Sequence, residues 1–246
     1  ITQAIILKTY RIGEIHKGVT MLTKDLGIIH AIAHGAWKTK SKLRSFTQLF
    51  NCIKVYLYYN PVKQSYKIND AESILLYDTV EPSLKKYYII SICAEVTLKS
   101  SGGGESVGEM YYLFLNILTI LEKINEQDAD FVLIQSFRRF LQMTGYKPDF
   151  NYCSQCGKDL AKPGEIYYSE GMNGFICSHC RNMHAIPLSP GMCRYLEMTE
   201  KVDLIKAVCY KVERKSEKML ITALSGIVET CIESPLVSMR SGEGIL

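Results

Sequence analysis

The sequence predicts an α+β multidomain chain: an N-terminal five-stranded β-barrel of the OB type, then an α-helical domain with an inserted four-cysteine ribbon. Three observations predict it. Short β-rich runs fill positions 1–77. The apolar period becomes helical beyond Asp78. Two Cys-x-x-Cys pairs stand in the rear half, one ending at Cys156 and the next opening at Cys177. The segments are expected at 1–78 (barrel), 79–150 (first helical part), 151–186 (ribbon) and 187–246 (second helical part).

The barrel strands are QAIILKTY, GVTMLT, GIIHAIAH, FNCIKVYLYY and SYKINDAESILL, rich in Ile, Val, Thr and Tyr. Gly13, Gly18, Asp25-Leu26-Gly27, Gly35 and Asn60-Pro61 punctuate them. Five short strands are most simply closed as a Greek-key barrel. Residues 83–100, 108–124 and 128–145 have helical length and clustered apolar residues, and Gly145 suits a C-terminal cap. Ser101-Gly102-Gly103-Gly104 reads as a flexible connector. A further helix begins at Ser189-Pro190, with Ser as N-cap and Pro at the first position. Another carries Leu220, Leu224, Ile227, Val228 and Cys231 on one stripe.

Between these helices, CSQCG (Cys153–Gly157) and CSHC (Cys177–Cys180) flank GEIYYSEGMNGFI, a strand–turn–strand pattern. Two intervening residues let both thiolates of a pair turn toward one point about 2.3 Å away. Cys153, Cys156, Cys177 and Cys180 therefore predict a zinc ribbon with one tetrahedral structural Zn2+, iron being the minor alternative. Four thiolates leave no open position for catalysis. His179, inside the second pair, should point away. Cys52, Cys93, Cys193, Cys209 and Cys231 read as small core residues.

Charge is distributed unevenly. Residues 1–69 hold 11 Lys/Arg against two acids, a net of +9, and the remainder holds 18 against 23, a net of −5. No acid occurs between Asp25 and Asp70. That bias points to a polyanion partner for the front half. Lys38, Lys40, Lys42 and Arg44 alternate directly after Trp37, the sole tryptophan. Read as an extended strand, they form one row spaced about 6–7 Å apart, close to the phosphate spacing of a single strand. Trp37, Tyr56, Tyr58 and Tyr59 could offer stacking faces. Arg138 and Arg139 read as partners in a structural salt bridge.

Other chemistry is not indicated. Gly103–Gly108 has phosphate-loop spacing, but Glu109 stands where a lysine should follow, so no nucleotide site is expected. No HExxH or GxSxG occurs, and Glu126, Asp128 and Asp130 read as helix-start residues. His16, His30 and His34 lack nucleophile or carboxylate partners. A binding protein rather than an enzyme is expected. The longest uncharged apolar run in the middle of the chain, Met110–Leu121, is too short for a membrane span. No charged-then-apolar leader opens the chain, so a cytoplasmic location is expected. The residues also admit an RNA-binding accessory protein with a zinc ribbon, or a non-catalytic protein adaptor. A zinc-finger glycosylase fits less well, because a long segment, 181–246, follows Cys180.

The order IILKT, LTKDLGII, AHGAWKTKSKLR, RFLQMTGYKPDFNYCSQCG and GFICSHC resembles the RecO family across nearly the whole chain. That resemblance implies a recombination mediator of the RecF pathway. It would bind single- and double-stranded DNA, anneal complementary strands without ATP, and with RecR help load RecA onto SSB-coated strands. The SSB C-terminal tail would dock on the helical domain, and the protein would be cytoplasmic and nucleoid-associated. The DNA contacts expected are Lys8, Arg11, Lys17, Lys24, Trp37, Lys38, Lys40, Lys42 and Arg44.

Overall fold

The computed structural model describes the chain except residues 78–82, 101–106, 147–148, 150, 161–164, 173 and 243–246. The Ser101–Gly104 connector, most of the Gly103–Gly108 spacing and the expected boundaries at 78–79 and 150 fall outside the described residues. Two compact units form: Ile1–Ser83 with Thr97–Lys123, and Leu84–Val96 with Ile124–Leu246.

In the first unit, β1 (Thr2–Ile12), β2 (His16–Thr23), β3 (Gly27–Ala33), β4 (Cys52–Asn60) and β5 (Ser65–Leu75) close in the order β1-β2-β3-β5-β4. All five predicted strands are present, and the closed barrel is of the OB type. Neighbours are antiparallel except β3 and β5, where Ala31 pairs Tyr66 and Ile32 pairs Lys67 in parallel. Alternate residues fill the interior: Ala4, Ile6, Val19, Met21, Ile29, Ala31, Ile53, Val55, Ile68 and Ala71. A bulge between Ile6 and Lys8 helps coil β1 around the closed sheet. The β3–β4 connector contains α1 (Lys42–Phe46), and its Ala36, Leu43 and Phe46 pack against this core.

The helix α3 (Val107–Lys123) packs on β1 and β2. Its buried Tyr111 hydroxyl meets Cys52 Sγ at 3.2 Å and donates to Gln3 Oε1 at 3.3 Å. Burial raises the pKa of both Cys52 and Tyr111, so this tie is neutral. The helix therefore belongs with the barrel, although it lies in the segment that the sequence assigned to the helical part.

The second unit is built on α4 (Ala129–Met143) packed on α7 (Arg214–Cys231), with all but the last turn of α2 (Leu84–Lys99), and with α5 (Pro190–Met198), α6 (Leu204–Ala207) and α8 (Val237–Ser241). Gly145 ends α4 at φ +71°, and Ser189 Oγ accepts the Met192 N–H to cap α5. Leu220, Leu224, Ile227 and Val228 are buried as the stripe requires, while Cys231 and Cys193 are only half-buried and Cys209, expected in the core, is exposed. Arg138 and Arg139 make no ion pair among the described residues. Arg138 donates to Thr199 Oγ1, and Arg139 to Gln135 Oε1 and Val202 O, tying α4 to the α5–α6 segment. Glu126, Asp128 and Asp130 stand at helix starts as expected, but not as side-chain caps. The Asp128 side chain accepts no cap bond and instead pairs with Lys211 at 2.9 Å. Asp130 is buried against Lys85.

Asp130 and Lys85 share that interior with Glu217 of α7, which is also buried. Burial and the hydrogen-bonded Asp130 carboxylate push the Glu217 pKa up to about 8, against the opposing pull of Lys85 and Arg214. The folded state thus binds a proton that the unfolded chain gives up near 4.5. Between those values the folded form holds more protons, so stability falls as pH rises through the window. Glu217→Gln keeps a neutral donor there. Its melting temperature should match the wild type's near about pH 5 and exceed it at about pH 8.5. Parallel melting curves across that range would exclude the shared proton.

Candidate nucleic-acid face and metal centre

Residues directly opposite across a ladder share a face, so the register reads out the outer surface of the barrel. One row runs Lys8–Thr20–His30 over β1, β2 and β3. The next runs Tyr10–Gly18–Ile32–Lys67–Tyr58 over β1, β2, β3, β5 and β4. Lys8, Tyr10, His30, Tyr58 and Lys67 are exposed in these rows. Gly18 is required beneath Tyr10: a Cβ there would lie 2.2 Å from the Tyr10 ring. The absence of that Cβ lets the ring lie flat on β2. The two rows carry cations and aromatic rings and no acid.

The lower part of the β4–β5 face has the opposite character. Asp70 accepts from Lys42 at 2.9 Å, and Glu72 accepts from Tyr56 at 2.8 Å and pairs with Lys54 at 3.6 Å. Lys42 and Lys54 are therefore already compensated, and Tyr56 is engaged with a carboxylate. Polyanion binding is disfavoured there by Asp70 and Glu72.

The basic connector is not a strand. Residues 34–40 are turns and Lys42–Phe46 is α1, so Lys38, Lys40, Lys42 and Arg44 do not form the extended row that their alternation suggested. Of the intervening residues Thr39, Ser41 and Leu43 only Leu43 is apolar, and it packs on the core from α1, so there is no continuous apolar face for a sheet to bury. Lys38, Lys40 and Arg44 are exposed on this connector. Trp37 is 41% exposed, its backbone N–H donating to Ile15 O at 3.0 Å.

Lys17 is overturned as a surface contact. It is 1% exposed, and its Nζ donates to Thr47 O at 3.0 Å and lies 4.8 Å from the centre of the Trp37 ring. Burial, with Arg44 nearby, lowers its pKa. Lys17 thus fastens the connector across the barrel end, and one face of Trp37 is taken by this cation. Arg11 folds onto its own turn, donating to Gly13 O and Glu14 O. Lys24 lies 5.4 Å over the Tyr112 ring of α3.

The ribbon belongs to the second unit. The strands β6 (Ile166–Ser169) and β7 (Gly174–Cys177) form the expected hairpin, and β8 (Ile186–Leu188) adds a third strand on β6. The thiols of Cys153, Cys156, Cys177 and Cys180 all lie within 4.8 Å of one another. Cys156 and Cys177 are 3.7 Å apart. A tetrahedral metal with thiolates at about 2.3 Å has sulfur–sulfur edges of about 3.8 Å, so the cluster has the dimensions for one ion. Gly157 at φ +69° turns the first knuckle, its N–H donating to Cys153 O. Ser154 N–H donates to Phe175 O, holding that knuckle against β7. Burial opposes ionisation of Cys153, but amides of Cys156, Cys177 and Gln155 outweigh it and bring its pKa to about 6. Cys180 is pushed up to about 12 by burial and by the neighbouring thiols. Four sulfurs this close cannot all ionise without a cation among them. His179 is exposed and outside the cluster.

Comparison with known proteins bears on both halves. Residues 1–77 match the family model "Recombination protein O N terminal", and residues 81–240 match "Recombination protein O C terminal". The chain belongs to the RecO family. Similar proteins include the DNA repair protein RecO of Bacillus pumilus, 32% identical over 206 residues, covering 82% of this chain and 77% of that one. RecO of Bacillus subtilis is 30% identical over 224 residues, covering 87% and 83%. RecO of Thermoanaerobacter sp. is 29% identical over 236 residues, covering 93% and 86%. This is a RecO-family DNA repair protein with an OB-fold front and four cysteines placed to hold a metal. No helix among the described residues is long and apolar enough to cross a membrane.

For a RecO chain, sequence reasoning finds the basic half but misses Tyr10, Lys67 and the position of His30. These residues lie far apart in sequence and meet only through strand register. The β-rich run around Tyr58 is the one available signal, and it does not say which side chains face out. Two outcomes are expected from the geometry. Lys17→Met leaves Thr47 O without its ammonium donor and should cost the barrel about 1–3 kcal/mol in chemical denaturation. A stability unchanged from wild type would show that the ammonium is not structural. Cys156→Ser should release the bound metal, measured by atomic absorption, and expose residues 151–188 to limited proteolysis. Full metal content with full protease resistance would remove Cys156 from the ligand set.

Proposed function

We propose that this chain is a non-catalytic recombination mediator whose barrel carries DNA. The observation that supports it most is the pair of acid-free rows of exposed cations and tyrosines around the outside of the barrel, together with the exposed cations of the connector. Phosphates of an extended strand would meet Lys8, Lys67, Lys38, Lys40 and Arg44. Bases would stack on Tyr10 and Tyr58, and on the face of Trp37 that Lys17 leaves free. Arg11 and Lys24 lie at the margins of this track. Lys42, already paired with Asp70, would contribute little. Lysines acting as mobile point charges give no base preference, which suits a protein that must accept any sequence.

A face that holds two single strands by their backbones, with their pairing edges free, promotes annealing by raising local concentration and screening phosphate repulsion. Such a process needs no nucleotide hydrolysis. The metal is structural zinc: soft thiolates in a closed tetrahedral set suit it, and it would replace the apolar core that the ribbon lacks. The family supports the remaining assignments, which are RecR as partner, the C-terminal tail of SSB docking on the helical unit, RecA loading as the outcome, and a cytoplasmic, nucleoid-associated location.

Fluorescence anisotropy of labelled poly-dT against salt tests the track. Replacing Lys8, Lys38, Lys40 and Arg44 with Ala removes about four phosphate contacts, so the log–log salt slope should flatten by roughly 3, at about 0.7 per phosphate. Lys42→Ala alone should change it little. Unaltered slopes in the fourfold variant would place DNA elsewhere, and a marked preference for RNA over poly-dT would favour an RNA-binding role.

A further inference from the structure

One end of the barrel gathers basic groups that the alternating motif does not include. His16 opens β2 and His34 follows β3, with ring centroids 4.7 Å apart and planes at 79°. The Gly35 N–H donates to His16 Nδ1 at 3.0 Å, which fixes that ring beside His34. Lys67 lies on β5, and Lys63 in the β4–β5 turn. That turn is fixed by Asn60 Oδ1, which accepts the N–H groups of Val62 and Lys63 at 3.0 Å each. The groups acting on His34 are His16, Lys67 and Lys63, with no carboxylate among them. Partial burial, then these neighbours, hold the His34 pKa below its ordinary value, which disfavours the charged ring in the free protein.

We propose that this barrel end is a phosphodiester subsite for nucleic acid, in which His34 takes up one proton from solvent as the phosphate arrives. The inference rests on the nucleic-acid reading given above. A phosphate seated beside Lys63 and Lys67 compensates the charges that oppose protonation of His34, and its oxygens accept the new imidazolium N–H. Binding and protonation are then linked, and each strengthens the other. His16 is held differently, its Nδ1 being engaged by the Gly35 N–H. The β1–β2 and β4–β5 loops that frame the site are the loops by which OB barrels hold oligonucleotides.

The test is binding of poly-dT at constant ionic strength between pH 8 and pH 6, with calorimetry in two buffers of different ionisation enthalpy to count protons. Wild type should bind about tenfold tighter at the lower pH and take up a proton. His34→Gln should bind like wild type at pH 8 and gain much less on acidification. His34→Arg, with a permanent charge, should bind tightly at both pH values and take up no proton. His34 is exposed, so neither substitution threatens the fold. If wild type binds without proton uptake, or His34→Gln keeps the full pH dependence, the subsite is overturned while the DNA face stands. If wild type fails to bind poly-dT at either pH, the underlying reading fails first.

Discussion

A ring of five strands cannot alternate direction all the way round, so one neighbouring pair must be parallel. Here that pair is β3 and β5. Because β5 lies between β3 and β4, the chain cannot join those two by a tight turn and must cross the end of the barrel instead. The chain between Ala33 and Cys52 is that crossing. It carries four of the front half's cations, the only tryptophan, and the apolar Ala36, Leu43 and Phe46 that plug the interior. Closure of the barrel thus decides that the basic motif is a cap with one buried side and one exposed side. Lys17 fastens this cap from within. Its ammonium leaves water only because a carbonyl and an indole face receive it.

That constraint explains which parts of the molecule are legible in the sequence. The five strands are, because β-branched and aromatic runs bounded by Gly, Asn and Pro leave few alternatives over so short a stretch. The Lys38–Arg44 alternation imitates a strand because period two is its only regularity. A half-buried strand also needs a run of apolar residues on its second face, and of Thr39, Ser41 and Leu43 only the last is apolar. Lys17 misleads for a different reason. Charge is an excellent guide to exposure on average, and nothing local in HKGVTML shows that the barrel end offers a buried acceptor. The row of Tyr10, Ile32, Lys67 and Tyr58 is beyond reach, since it is a property of register between strands at opposite ends of the front half.

The metal centre is legible because its chemistry is local. Each Cys-x-x-Cys pair is itself a ligand clamp, and the segment between Cys156 and Cys177 need only return the chain. Family membership, shown over 1–77 and 81–240, covers the barrel and the helical unit that carries the ribbon. The strand β8 escapes notice because so short a run with Pro187 at its centre gives almost no strand signal. It pairs with β6 by backbone register, which lets a proline occupy a sheet edge. In the helical unit, Arg138 and Arg139 mislead as Lys17 does. Guanidinium groups are expected to find carboxylates, whereas a buried fork can be satisfied by hydroxyl, amide and carbonyl oxygens.

The charge distribution has a consequence for how a polyanion would be held. The whole chain is only +4, so long-range attraction is weak, and salt screens it beyond a Debye length of about 8 Å at physiological ionic strength. Contact is another matter, because residues 1–69 concentrate a net of +9 and Asp70 and Glu72 fence off the lower β4–β5 face. Grip would then come from short-range pairing with individual phosphates and from stacking, both insensitive to base identity. Such a surface can release a strand as readily as it takes one, each contact being small and separately replaceable by a cation from solution. Binding that any strand can enter and leave needs that kind of surface more than it needs a tight pocket. The exposed lysines, rather than buried arginine forks, are the physical means to it.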